Sequence, residues 1–159
     1  MIYILSSPVN SGKTTFLKKL YTKAKKNKKN VFALISEKES VRDSVYYYAF
    51  MNDLRLGKAV EVVKNEGRIF LNDDIFSLVY YVVKKVLREE DFFIIDEAGP
   101  VELAGKGHFK TIKLLLKNDA DFVVAVRKNL LSDFIDFFNL KYYLIAERFD
   151  MKFFERLWK

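Results

Sequence analysis

Short, wholly apolar runs alternate with amphipathic stretches along most of this 159-residue chain. Ile2-Tyr3-Ile4-Leu5 is a run of strand formers, and Phe16, Leu17 and Leu20 follow at helical spacing. That pattern predicts a first strand and then a helix from about Lys13 to Lys26. Val31-Phe32-Ala33-Leu34-Ile35 shows no polar alternation, as expected of a strand covered on both faces. Asn72 is a good N-cap, and Asp73 and Asp74 suit the positive end of a helix dipole. Ile75, Phe76, Val79, Val82, Val83, Val86 and Leu87 then form the apolar stripe of a long helix. Phe92-Phe93-Ile94-Ile95 is the next buried strand. A helix from about His108 to Lys117, a strand Phe122–Val126, a short helix opened by Ser132-Asp133 and a strand Tyr142–Ala146 complete the alternation. Asp150 caps a last helix carrying Phe153, Phe154, Leu157 and Trp158.

Residues 41–71 break this rhythm. Tyr46–Met51 and Val60–Val63 flank Asp53-Leu54-Arg55-Leu56-Gly57-Lys58, which reads as a hairpin and its turn. A further turn at Asn65-Glu66-Gly67 leads to Arg68-Ile69-Phe70. The predicted architecture is α/β, a mostly parallel doubly wound sheet with helices on both faces and an antiparallel hairpin insertion after strand two. No linker-like change of composition divides residues 1–159, so a single domain is expected.

Composition narrows the chemistry. Half of the residues are hydrophobic, ample for one core. With no cysteine and the single histidine His108, thiolate and histidine-cluster metal sites are excluded. His108, just before a helix, reads as an N-terminal or solvated residue. No run of 18 apolar residues and no basic leader is present, which points to a soluble cytoplasmic protein without membrane partners. Abundant Lys, Glu, Tyr and Phe with no glutamine leans towards a thermophilic source. The formal charge is +7, with Lys18, Lys19, Lys23, Lys25, Lys26, Lys28 and Lys29 clustered on and beyond the first helix. Lysines there complement the dipole and solvate a face; a nucleic-acid patch is possible but not favoured, because no recognised binding module accompanies it.

The segment after strand one carries the sharpest signal. Ser7-Pro8-Val9-Asn10-Ser11-Gly12-Lys13-Thr14-Thr15 stands between a strand and a helix and matches the phosphate-cradling pattern G-x-x-x-x-G-K-[ST], with Ser7 at the leading glycine. In such a loop backbone N–H groups and the helix N-terminus converge on an anion. Lys13 then reaches the terminal phosphates, and the Thr14 hydroxyl can hold Mg²⁺. Ser7 is acceptable if its backbone needs no positive φ, and Asn10 tolerates the left-handed region. The second half of the site is Asp96-Glu97, at the C-terminal end of a buried strand, where open α/β sheets bind ligands. Asp96 would orient Mg²⁺ and its waters, and Glu97 would polarise an attacking water.

SSPVNSGKTT, VRDSVYYYAFMNDLRLGK and FFIIDEAGPVEL together resemble the small thermostable nucleoside-triphosphatase family, whose animal members are called cancer-related nucleoside-triphosphatases. Its members carry G-P-P-G-x-G-K-T-T and D-E-I-G-K-M-E-L. The resemblance implies a P-loop NTPase domain and Mg²⁺-dependent hydrolysis of several nucleoside triphosphates with little base selectivity. It carries Lys13, Thr14, Asp96 and Glu97 over as phosphate lysine, metal hydroxyl, Walker-B acid and base, and adds Gly99 and Glu102 to the nucleotide-binding set. Ser7 and Asn10 stand where that family has glycines, and Pro100-Val101 replace Lys-Met; Lys106 is a nearby substitute for the lost lysine.

Arg127, at the end of its strand, could neutralise charge on a γ-phosphate or pair with Asp133 on the surface. Arg42 could approach the nucleotide, although a surface role is favoured. Tyr46, Tyr47, Tyr48 and Phe50 could stack a base, but alternation favours packing. Two other functions share the loop: a small nucleotide or metabolite kinase, for which Arg42, Arg55 and Arg68 could serve a lid, and a nucleotide-binding accessory or switch protein with negligible turnover. Base preference and oligomeric state are not encoded legibly.

Overall fold

A computed structural model of the chain describes residues 1–51 and 54–158, with side chains outside residues 48–55. In chain order the elements are β1 (Ile2–Ser7), α1 (Lys13–Lys26), β2 (Val31–Val41), β3 (Ser44–Met51), β4 (Leu54–Val63), β5 (Arg68–Leu71) and α2 (Asp73–Val86). There follow β6 (Phe92–Ala98), a one-turn α3 (Pro100–Leu103), α4 (Phe109–Lys117), β7 (Phe122–Arg127), α5 (Leu131–Phe137) and β8 (Tyr143–Ala146). A 3₁₀ turn at Lys128–Leu130 precedes α5, and the last helix expected after Asp150 is a 3₁₀ helix at Met151–Leu157. Asp150 caps it as anticipated, its Oδ1 accepting from the Lys152 N–H.

The apolar runs order the sheet. All eight strands of the described residues join in the order β5-β4-β3-β2-β6-β7-β1-β8. From β2 to β8 every neighbouring pair is parallel, and β3, β4 and β5 extend the sheet antiparallel. Side chains alternate between two cores: Tyr3 and Leu5 pack with Phe16, Leu17 and Leu20 of α1, while Ile4 faces the layer of Val79, Val83, Ile112, Leu115 and Phe134. Helices therefore cover both faces, which is why the parallel strands read as unbroken apolar runs. Phe154 and Leu157 of the terminal 3₁₀ helix complete the α1 layer. Among the described residues no helix is long and apolar enough to cross a membrane.

One expectation for the insertion changes. The predicted turn at Asp53–Lys58 is instead strand from Leu54 onward, with residues 52 and 53 outside the described part. The turn stands instead at Arg42-Asp43, where Val41 pairs with Ser44 and Arg42 takes φ 50°. Polar Ser36–Ser40 hides this because only the outer β3 pairing, not burial, holds it extended. In the parallel part of the sheet β7 lies between β1 and the strand of Asp96. This brings the end of β7, rather than of β6, directly beside the loop after β1.

Candidate functional site

A cleft of about 450 Å³ opens at the C-terminal edge of the parallel strands, lined by the β1–α1 loop, the outer part of β2 and the ends of β6 and β7. Topology makes the opening. β2 pairs with β6 only through Val31–Leu34, and from there it follows β3. The space between the diverging strands is walled by Ser36, Glu37 and Lys38 on one side and Asp96 and Glu97 on the other.

The loop is braced by its own side chains. Ser11 Oγ donates to the Pro8 carbonyl at 2.7 Å, so the 2.7 Å contact between Ser7 and Ser11 hydroxyls has Ser7 as donor. Ser7, in place of the pattern's glycine, takes no positive φ, whereas Asn10 (φ 59°) and Gly12 (φ 94°) do. Added side-chain atoms at Gly12 would meet only an ordinary 3.8 Å contact with Phe149, so backbone conformation is what calls for glycine there. Lys13 begins α1 and is 8% exposed; its Nζ donates to the Ser7 and Pro8 carbonyls at 3.1 and 2.7 Å. Burial lowers its pKa, and Glu97 and Asp96 nearby pull it back up.

Asp96 ends the buried part of β6 at 2% exposure. Its Oδ2 accepts from the Ser36 N–H at 3.3 Å, and the Thr14 side chain is also hydrogen-bonded to its carboxylate. Burial nevertheless pushes the acid up to about 6 against those two donors. A desolvated carboxylate joined to a hydroxyl is a donor set of hard oxygens, and it fits a small divalent cation such as Mg²⁺.

Glu97 is placed by an irregularity. Between the pairs Ile95–Val124 and Ala98–Val126, β6 spends one residue more than β7. Glu97 sits in this bulge at φ 68°, a conformation costing a non-glycine residue about 1–3 kcal/mol. Such a bulge re-aims a side chain. Here the carboxylate meets Arg127, whose Nε (2.7 Å) and Nη2 both donate to Oε1. Arg127 therefore pairs with Glu97 and not with Asp133. Tyr47 on β3 faces the same group, its phenol raised first by burial and then by Glu97.

Among the sequence-predicted residues the cleft gathers Val9, Asn10, Ser11, Gly12, Lys13, Thr14, Asp96, Glu97 and Arg127. Ser7 and Pro8 form the loop behind it. Thr15, Gly99 and Glu102 do not line it. Glu102 is occupied elsewhere: Oε2 accepts from the Gly99 N–H at 2.9 Å and Oε1 from the His108 N–H at 3.1 Å, with 5% exposure. It caps α3 and ties the turn after it to α4, so the nucleotide-binding role expected of Glu102 is replaced by a structural one. Gly107 must be small for this tie, since a Cβ would stand 2.4 Å from Glu102 Oε1. Arg42 is exposed in its turn, Lys106 lines a separate hollow over α2, and Arg68 pairs with Glu66. Tyr46 lies under Lys58 Nζ at 4.4 Å, while the side chains of Tyr48, Phe50 and Arg55 fall outside the described residues.

Sequence reasoning missed Ser36, Glu37 and Lys38, whose signal was a polar segment directly after a buried parallel strand. It also missed Phe149, which stacks on Phe16 at 5.4 Å beside Gly12 and keeps 40% exposure.

His108 stands at the N-terminus of α4, as one of its two expected readings had it, but it is not solvated. It is 5% exposed, packs edge-on to Phe76 at 5.0 Å between centroids, and its Nδ1 has no hydrogen-bond partner among the described residues. Burial lowers its pKa from 6.5 to about 4. The unfolded chain then binds the extra proton across that window, so stability is lost as pH falls through it. His108→Met removes this loss. Burial raises Glu102 to about 7, which acts in the opposite sense; its bond from the His108 backbone survives the substitution, so it drops out of the comparison. Relative to the difference at neutral pH, the variant should gain up to ~3 kcal/mol over the parent in acid. Denaturant titrations across pH check this, and a pH-independent difference would contradict it.

The loop, the buried acid and the bulged glutamate thus stand together at one sheet edge. A family model described as NTPase matches residues 2–148. The chain belongs to this NTPase family. Its fold is similar to that of THEP1 from the hyperthermophile Aquifex aeolicus, at 19% identity and a TM-score of 0.64, covering 92% of this chain and 89% of that one. A human cancer-related nucleoside triphosphatase is similar at 17% identity and a TM-score of 0.64, covering 91% and 87%. A search of curated proteins finds no match. The fold neighbours support the α/β sheet with its antiparallel extension, and the family supports a nucleoside triphosphate as ligand.

Proposed function

We propose that this NTPase-family protein hydrolyses the terminal phosphoanhydride of nucleoside triphosphates, with Mg²⁺ as cofactor and little base selectivity. The observation that carries the proposal is the Glu97 carboxylate, set in a strained bulge and gripped by Arg127 through one oxygen, in the same cleft as Lys13 and Asp96.

Phosphate oxygens bind the N–H groups of the loop from Asn10 to Thr14 and the Lys13 ammonium. Thr14 and Asp96 would hold Mg²⁺, which when bound neutralises phosphate charge and orients the oxygens. Arg127 fixes Glu97 Oε1 and leaves Oε2 for a water, which Glu97 orients and deprotonates for in-line attack. Bond formation to that water oxygen and cleavage of the bond to the bridging oxygen give nucleoside diphosphate and phosphate. Phe149 offers an exposed aromatic face on the α1 flank of the loop, and stacking accepts any base.

A kinase would avoid priming water and needs arginines around an acceptor. Among the described side chains only Arg127 brings a guanidinium to the cleft, and it is on Glu97. Phosphate release from ATP, GTP, CTP and UTP, with and without Mg²⁺ and with no acceptor present, tests the proposal. Mg²⁺-dependent release from all four is expected, with Phe149→Ala raising KM similarly for each. Tight nucleotide binding without release would reject hydrolysis in favour of a switch, and release only with an acceptor would favour a kinase.

A further inference from the structure

On the sheet face opposite α1, the helices α2, α4 and the end of α5 enclose a groove of about 1410 Å³ that shares no residue with the cleft. Its walls carry Lys84, Lys85, Arg88, Lys110, Lys113 and Lys117, all exposed, against one carboxylate, Glu89. Among the described residues none of these six cations forms an ion pair, whereas Lys18, Lys29 and Lys58 pair with Glu37, Asp91 and Glu61.

Helix electrostatics explain only part of this set. Lys84 and Lys85 lie in the last turn of α2 and Lys117 in the last turn of α4, where cations complement the dipole. Lys110 does not. It is the second residue of α4, whose first turn has no acid, and a positive charge there opposes the dipole. Lys110, Lys113 and Lys117 recur at a spacing that puts them on one side of α4, and Lys84 and Arg88 do the same along α2. Like charges at that spacing repel, so the arrangement weakens the fold that carries it. Between the cations lie the half-buried rings of Tyr80, Phe109 and Phe138 and the 47% exposed ring of Phe137. Lys113 Nζ stands 5.4 Å from the Phe109 centroid. A concave surface combining unpaired cations with accessible rings has the chemistry that single strands meet, phosphates on the cations and base faces on the aromatics.

We propose that this groove binds single-stranded nucleic acid without sequence preference. The site is distinct from the α1 lysine patch, where Lys18 is already engaged by Glu37. The two rows of cations take successive phosphates, and Phe137 stacks a base. An acidic protein would satisfy the cations but would leave Phe137 without a planar partner.

Fluorescence anisotropy with labelled pyrimidine oligonucleotides tests this on the whole protein, using single-stranded RNA, single-stranded DNA and a duplex of equal length. Single strands should bind, with log affinity falling against log salt with a slope of about 4 if all six cations meet phosphates. The RNA and DNA arms show which sugar is preferred. Lys110→Glu with Lys113→Glu should weaken binding at least ~10-fold and flatten the slope by about one to two. Phe137→Ala should weaken binding ~10-fold with the slope unchanged. Phosphate release from ATP and the circular dichroism spectrum serve as controls for folding and should not move. Absence of binding at low salt, unchanged affinity in the Lys110/Lys113 double variant, or equal affinity for poly-glutamate would each overturn the proposal.

Discussion

Lys13→Ala should cut nucleoside triphosphate turnover by about 10²–10³-fold or more, the scale of losing one charge-stabilising donor in a protected site. Lys13 is the first helical residue after the loop, and its ammonium now bridges the Ser7 and Pro8 carbonyls. Lys13 itself lines the cleft, so the ammonium is held beside the place where terminal phosphate charge would gather. Its lowered pKa marks the cost of keeping it desolvated, and a phosphate offsets that cost more strongly than two neutral carbonyls. Affinity for a non-hydrolysed triphosphate analogue should therefore fall with kcat, because the lysine meets phosphate in both ground and transition states. Stability should change little: each lost hydrogen bond is worth ~1 kcal/mol, and relief of the buried charge acts the other way. Calorimetric titration with the analogue, together with thermal unfolding, separates the two effects. Parent-level turnover in a folded Lys13→Ala protein would remove the phosphate loop from the mechanism.

The loop was legible because its chemistry is local: a strand, a turn requiring Asn10 and Gly12 at positive φ, and a helix whose first residue is the lysine. Asp96 and Glu97 were legible for a related reason, standing at the end of an unbroken apolar run. Their geometry was not. Nothing local in Ile95-Asp96-Glu97-Ala98 announces a bulge, since the extra residue exists only relative to the register of β7. The Arg127–Glu97 pair depends on β7 lying between β1 and β6, a strand order that periodicity does not encode. His108 looked solvated from its glycine-rich surroundings and is buried because Glu102 folds that loop back over it. Ser36–Lys38 escaped notice because they are polar and paired on one side only, so their strand lacks an apolar signature.

The second large effect concerns Glu97 and Arg127 as a unit. Glu97→Gln should lower kcat by about 10²–10⁴-fold, the usual range for losing a general base, with analogue affinity preserved. Glutamine keeps the length and the positive-φ backbone of Glu97, so the comparison isolates the charge and proton acceptor. Arg127→Ala should also lower kcat steeply, since arginines acting on a transferring phosphoryl group contribute ~10³–10⁵-fold. The two residues share one contact: both guanidinium donors converge on Glu97 Oε1. If Arg127 acts by aiming the carboxylate, Arg127→Ala added to Glu97→Gln should cost hardly more than the worse single change. Arg127→Lys separates the roles further, because an ammonium can supply charge but not the two-donor grip. It should recover little activity if positioning dominates. Multiplicative losses in the double variant would instead put Arg127 on the phosphate independently of Glu97. Unchanged kcat in Glu97→Gln would leave the bulge without a catalytic reason, because the strain at φ 68° would then serve no step of the reaction.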